Sequence, residues 1–330
     1  MSWARFLLAL PVLVLFLPLS AGADTLALSW DNDLMVGSDG RYTNGVRLSF
    51  VGDTHDDCGR QDGAVCTVAR GLDLLPGIDA AGNSHTVTIS LEQAMITPSD
   101  ITREQPDFND LPYAGLTNLE MGLFSRDDDS MVGYGFRFGV LGPDSLAEQA
   151  QTWVHELTGS DEPKGWDDQL GQDLIGGIWV SGTQRMVQWG GGGGLETEAG
   201  YAWAVDANNF LGNAQVGGFV RAGRNLPGNL IPDYSGFGTA GSLVGVFDKP
   251  GFGWEVFVGA SGQYIGYSYI VEHSGPYHVD GRDTIAGLIV GGSVRWDRFA
   301  TSLTLRGSTS PVRDSKKVLS YGNLSFMWAL

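Results

Sequence analysis

Residues 254–270 read WEVFVGASGQYIGYSYI. The stretch opens with Trp254, Val256, Val258 and Ala260 on one parity, while Glu255, Ser261 and Gln263 fall on the other. Side chains of a strand alternate sides, so this pattern describes one strand with an apolar face and a face that admits charge. A tilted strand crosses a bilayer in about 9–11 residues, and these 17 residues exceed that. A soluble sandwich also alternates, but over shorter strands whose apolar face turns inward. The same period runs through TVTISLEQAM (86–95), GYGFRFGVL (133–141), GFVRAG (218–223) and TSLTLRG (301–307). It closes the chain in NLSFMWAL (323–330), with Phe326, Trp328 and Leu330 on one face. A polar lumen inside an apolar outer wall produces such strands.

Counting outward from this stretch gives twelve candidate strands: 24–33, 43–52, 84–97, 116–125, 131–142, 173–188, 195–207, 214–224, 252–271, 283–297, 299–312 and 319–330. The expected fold is an all-β, antiparallel outer-membrane barrel with both termini on the periplasmic side. Residues 238–249, GTAGSLVGVFDK, are assigned to a periplasmic connection, because a thirteenth strand would break the parity. Aromatic residues such as Trp30, Trp254, Trp296 and Phe299 flank the strands in the manner of interfacial girdles.

The N-terminus supplies the route to such a location. Arg5 precedes an apolar run of 14 residues, 6–19, and then Ala21-Gly22-Ala23. A charged start, a short apolar core and an A-x-A site make a secretory signal peptide over 1–23. The barrel domain then covers 24–330. The formal net charge is −18, and it becomes one unit more negative when Arg5 leaves with the leader. Such a surface has no use for nucleic acid, whose phosphates require clustered Lys and Arg. Cys58 and Cys66 lie close together in a polar segment of an exported chain, which predicts one loop disulfide.

Chemistry is expected at the outer rim. The first strand is interrupted by Asp31, Asn32 and Asp33, and the second begins near Thr43 and Asn44. Two long connections, 98–115 and 143–172, point to the same side. The second contains SLAEQAQTWVHELTG (145–159), where Leu146, Ala150, Trp153, Val154 and Leu157 follow helical spacing and Gly159 ends the helix. Gln151 and His155 are four residues apart and share one face of it. Asp161 and Glu162 follow. A histidine, carboxylates, an amide and a hydroxyl on one rim suit base catalysis assisted by a hard, oxygen-seeking cation. The Asp31 segment is no EF-hand loop, since its glycine and the twelfth-position glutamate are misplaced. Read alone, Asp31 to Asp33 equally suit a turn cap, and His155 equally suits a surface position on its helix.

Four separated segments resemble, in order, the outer-membrane lipid A 3′-O-deacylase family. They are DNDL…YTNGVRLSF (31–50), ITPSDI (96–101), DLPYAG (110–115) and QTWVHELTGSDEPKGWDDQL (151–170). The resemblance implies a twelve-stranded barrel with a calcium-dependent esterase site at its outer rim. It makes His155 the base that activates water, and puts Asn32 and Asp33 in the catalytic and metal site. Asp33 and Glu162 would hold Ca²⁺, while Thr43 and Gln151 would line the substrate. The substrate would be lipid A of lipopolysaccharide, and the chain would act as a monomer. Ile96 and Leu116 stand where relatives commonly carry aromatics, which suggests altered acyl-chain contacts.

Two other readings compete. An outer-membrane phospholipase would use calcium with a serine nucleophile, but the sequence has neither a G-x-S-x-G elbow nor an obvious histidine–serine pair. A passive porin-like barrel would explain the strands and the charge. It gives no reason for Gln151, His155 and Glu162 to follow one another across a loop helix.

Overall fold

The computed structural model describes residues 24–36, 44–232, 239–313 and 318–330. The leader expected at 1–23 lies outside the described residues. The strands are β1 (Thr25–Asn32), β2 (Asn44–Val51), β3 (Ser84–Ile96), β4 (Ala114–Arg126), β5 (Ser130–Leu141) and β6 (Asp173–Gly190). They continue as β7 (Glu196–Asn208), β8 (Leu211–Arg224), β9 (Gly253–Ser268), β10 (Thr284–Trp296), β11 (Phe299–Ser308) and β12 (Leu319–Ala329). Each pairs antiparallel with its sequence neighbours, and β1 closes on β12 from Thr25 opposite Ala329 to Asn32 opposite Gly322. Strand number and order match the alternation, and most ends fall within two or three residues of those expected.

Parity decides the two faces. Along β9, Glu255 and Phe257 are buried while Val256 and Val258 are more than half exposed, at 55% and 54%. The inward set is charged and paired. Arg47 meets Glu120 at 2.6 Å, and Arg137 bridges Glu120 and Asp206 at 3.0 Å each. Further round, Arg185 and Arg221 share Glu198, at 3.2 and 2.6 Å, and Arg221 reaches Glu255 at 3.3 Å. Charges taken this far from water persist because each has a partner.

Apolar clusters lie at both ends of this charged lumen. At the end carrying the termini, the β8–β9 connection folds inward and includes a 3₁₀ turn, Ala240–Leu243. Leu230, Ile231, Leu243, Val244 and Val246 cluster there with Phe124, Met131, Trp179 and Phe219 of the barrel wall. The described part of 238–249 is therefore a plug and adds no strand, as the parity required. Arg221 also latches it: its guanidinium donates to the Asn229 side chain and carbonyl at 2.8 and 2.6 Å, and Asn229 donates to the Ser242 carbonyl at 2.7 Å.

At the opposite end Ala114, Leu141, Leu170, Ile175 and Tyr269 form an inward apolar lid, packed by Ile96, Leu116 and Phe210. Ile96 and Leu116 thus sit on the lumen side. Their departure from the aromatic pattern bears on the lid, which corrects the expectation that they change acyl-chain contacts. Around the outer wall at the terminal end, Phe252, Trp296, Phe299, Phe326 and Trp328 form a belt with successive ring centroids 5.8–6.5 Å apart, as interfacial aromatics do. The β2–β3 connection carries α1 (Ala64–Gly71) and the expected disulfide, Cys58 to Cys66. It packs on the outside of the wall against Val87, Leu123, Val132 and Tyr134.

The latch makes a prediction. Arg221→Ala leaves Glu198 and Glu255 short of a buried partner, a loss of about 3–5 kcal/mol for such pairs, and releases Asn229 from the wall. In planar bilayers the refolded wild type should be silent and the variant should show conductance steps. Silence from both would mean that the apolar cluster alone holds the plug.

Candidate active site

The three polar residues that interrupt β1 are divided between different surroundings. Asp31 points into the lumen, where Asn323 Nδ2 donates to its Oδ1 at 2.7 Å. Asn323 in turn accepts from Ser325 at 2.8 Å, and Ser325 meets Ser29 at 2.9 Å. Asp31 therefore belongs to the wall's internal hydrogen bonding, although it interrupts the strand beside the two residues assigned to the site. Asn32 has the opposite parity and lies on the outer wall. Asp33 begins a 3₁₀ turn, Asp33–Val36, that leaves the barrel there. The turn crosses β12 at Gly322, where any Cβ would stand 2.5 Å from that of Met35. Both Asn32 and Asp33 are buried, at 7% and 2% exposure.

Three outward-facing rows on the wall define the setting. Leu28, Leu48, Leu91, Leu119 and Phe138 are successive register partners and form an apolar row. Two residues further along the same strands come Trp30, Val46, Gln93 and Thr117. Two residues further again come Asn32, Asn44, Met95 and Gly115. Trp30 Nε1 donates to Asn44 Oδ1 at 3.0 Å, tying the second row to the third.

The loop helix α2 (Ala147–Thr158) lies on these upper rows. Its N-terminal approach is fixed by the Ser145 carbonyl, which accepts from Gln93 Nε2 at 2.7 Å and Thr117 Oγ1 at 2.8 Å. Gly115 permits the contact, since a Cβ there would meet Ser145 Oγ at 2.3 Å and Ala147 Cβ at 2.4 Å. Ala147, Met95, Tyr113 and Trp166 form the apolar packing beneath the helix, joined by Ala150 and Ile101. The expected apolar stripe of the helix is split: Ala150 packs inward, while Trp153 and Leu157 are 56% and 72% exposed.

Gln151 faces the wall and is 1% exposed. Its Oε1 accepts from Trp166 Nε1 at 2.7 Å, while its Nε2 has no hydrogen-bond partner among the described residues. A buried amide N–H without a partner costs about 1–3 kcal/mol. Trp166 is itself set by Tyr113, whose ring lies 4.8 Å away and whose hydroxyl donates to the Ile101 carbonyl at 3.1 Å. Burial pushes the Tyr113 hydroxyl up to about 12, so it remains a donor across the working pH range.

His155 lies one turn beyond Gln151. Its Nδ1 is 2.5 Å from the backbone oxygen of Asp161. A carbonyl only accepts, so Nδ1 carries the proton and neutral His155 presents Nε2 as its basic nitrogen. The helix ends as expected at Gly159, in the left-handed region at φ 72°, which brings the chain round to Asp161. Asp161 and Glu162 are both exposed. Asp161 meets His155 through its backbone carbonyl. Thr43 lies outside the described residues. Of the other histidines, His278 is exposed and His85 is buried in β3.

The family model described as outer membrane protein LpxR matches residues 7–330. The chain belongs to the LpxR family. Among solved structures, LpxR from Salmonella typhimurium is similar to it at 17% identity, covering 93% of this chain and 100% of that one, with a TM-score of 0.73. The β domain of the Bordetella autotransporter BrkA aligns over 94% of this chain and 100% of its own, at 8% identity and a TM-score of 0.43. No curated protein sequence matches. The LpxR-family assignment and the fold agree on an outer-membrane barrel. In this LpxR-family chain, Tyr113 and Trp166 both fall within the quoted segments, and their role in placing Gln151 was not foreseen. Two aromatics inside otherwise polar loop motifs were the available signal.

Trp166→Phe tests that placement. It strips Gln151 Oε1 of its donor and leaves both amide ends of a buried side chain unpartnered, at a cost of about 1–3 kcal/mol. The barrel should stay heat-modifiable while 143–172 becomes markedly faster to cut in limited proteolysis. Unchanged cutting would show that Gln151 is held by its packing alone.

Proposed function

We propose that this protein is an outer-leaflet esterase that removes the 3′-linked acyloxyacyl group of lipid A. The observation that carries the reading is the position of the polar cluster. A helix carrying His155 and the buried Gln151 packs on the outward-facing rows of the wall, Asn32 shares that face, and the buried Asp33 follows it where the chain leaves β1. A pore would invest its chemistry in the lumen, and here the lumen is filled by ion pairs, plug and lid.

In this mechanism His155 Nε2 takes a proton from water as the water attacks the ester carbonyl. The Asp161 carbonyl keeps the ring oriented and stabilises the imidazolium that forms. Gln151 Nε2 donates to an oxygen of the substrate, and the family resemblance assigns Thr43 to substrate contact as well. Asn32 and Asp33 present oxygen donors only, the set that Ca²⁺ prefers, with Glu162 as a further carboxylate. Among the described residues no three His, Cys, Asp or Glu side chains gather into a ready cage. This fits a cation that completes six to eight ligands with carbonyl, water and substrate oxygens. Bound there, Ca²⁺ supplies charge to the ester oxygen as it becomes an oxyanion.

Mass spectrometry of lipid A from cells with and without the protein tests the assignment. The expected product lacks both chains of the 3′ acyloxyacyl unit. Unchanged lipid A, with phospholipid cleaved instead, would favour the phospholipase reading.

A further inference from the structure

We infer that Asn44 is a second amide donor to the substrate, aimed by Trp30 as Gln151 is aimed by Trp166. The two side chains share one arrangement. An indole N–H only donates, so the amide atom that meets it is the oxygen. Trp166 Nε1 occupies Gln151 Oε1 at 2.7 Å, and Trp30 Nε1 occupies Asn44 Oδ1 at 3.0 Å. In each pair the NH₂ group is the end turned away from the indole. Both amides are buried, at 1% and 7% exposure.

The register places Asn44 inside the candidate site. Its partner on β1 is Asn32, and its partner on β3 is Met95. Residues directly opposite across a sheet stand about 4.5–5.5 Å apart at Cα. On one side, Asn32 leads into the buried Asp33. On the other, Met95 belongs to the apolar packing with Ala147 and Trp166 beneath the helix. Asn44 thus stands between the residues proposed for the cation and those that seat Gln151. Its oxygen is engaged by Trp30, so what it offers the site is N–H, where Asp33 offers only oxygen.

The chemistry that calls for such a donor rests on the deacylase reading. As water adds to the ester carbon, its proton passes to His155 Nε2 and the carbonyl electron pair moves onto the oxygen. That oxygen accepts from Asn44 Nδ2, and the bond strengthens as charge builds, which lowers the barrier. On collapse the pair returns and the bond to the sugar oxygen breaks. The imidazolium then gives its proton to the departing alkoxide.

Two substitutions separate this role from a structural one. Asn44→Asp keeps an acceptor for Trp30 Nε1 and removes both N–H donors, while Asn44→Ala removes the whole amide. Turnover is measured on detergent-dispersed lipid A with saturating Ca²⁺, at matched amounts of heat-modifiable barrel. Each variant should lose about 10²–10³-fold in kcat, the usual cost of one oxyanion donor, with KM nearly unchanged. Trp30→Phe should lose less, and nothing further in the Asn44→Ala background, because it acts through the amide. Wild-type kcat from a folded Asn44→Asp would overturn the inference and leave Asn44 as the acceptor that an outward-facing indole needs. A loss confined to KM would overturn it too. If Asn44→Ala does not fold, Asn44→Asp decides alone. A wild type that releases no acyloxyacyl product would fail the deacylase reading itself, and this inference with it.

Discussion

His155→Ala should lose most deacylation while refolding to a heat-modifiable barrel. A positioned general base typically contributes about 10²–10⁴-fold, and removing the imidazole removes the base together with its only means of holding the proton. The ring is partly exposed near the end of a loop helix, so stability should change little. His278→Ala, at an exposed loop position, should remain near wild type. Activity is read as the rate of release of the acyloxyacyl group by mass spectrometry at matched amounts of folded protein. A folded His155→Ala enzyme at wild-type rate would remove the mechanism and leave the histidine as a helix-terminal residue bonded to the Asp161 carbonyl.

Asp33→Ala and calcium removal should converge on one phenotype. Losing the charge that stabilises a developing oxyanion costs about 10²–10³-fold, and Asp33 is a buried carboxylate where the chain leaves β1. Excess EGTA should abolish activity in the wild type, and Ca²⁺ should restore it. Asp33→Ala should stay low at Ca²⁺ concentrations that saturate the wild type. Asp31→Asn provides the contrast, since its carboxylate bonds Asn323 in the lumen. That variant should retain activity and calcium response. Full activity of the wild type in EGTA would reject the cation outright.

The period-two pattern made the barrel legible because it reports a physical asymmetry, lipid on one side and ion pairs on the other, at every second residue. Gly159 and the Cys58–Cys66 pair were legible for local reasons, a helix that needs a left-handed stop and two thiols in an exported loop. Parity carried the answer for Asp31: it shares the inward face with Ala27 and Ser29, and Asn32 does not. Trp166 and Tyr113 were not legible as supports of Gln151, because a loop packing on another loop has no periodicity. The apolar stripe of α2 was visible as a stripe, but spacing cannot say that Ala150 packs on the protein while Trp153 and Leu157 stay exposed.

The plug has a consequence for assembly. Its cluster includes Ala27 from β1 and Met327 and Ala300 from β12 and β11, so it spans the joint between the chain's two ends. Until those ends meet, the plug lacks one wall of its socket, and until it seats, the joint relies on its backbone ladder. Sealing the cylinder and filling it are therefore a single cooperative step. A chain stalled before β12 docks would be an open trough with a loose stopper, which an assembly machine or a protease can distinguish from the finished product.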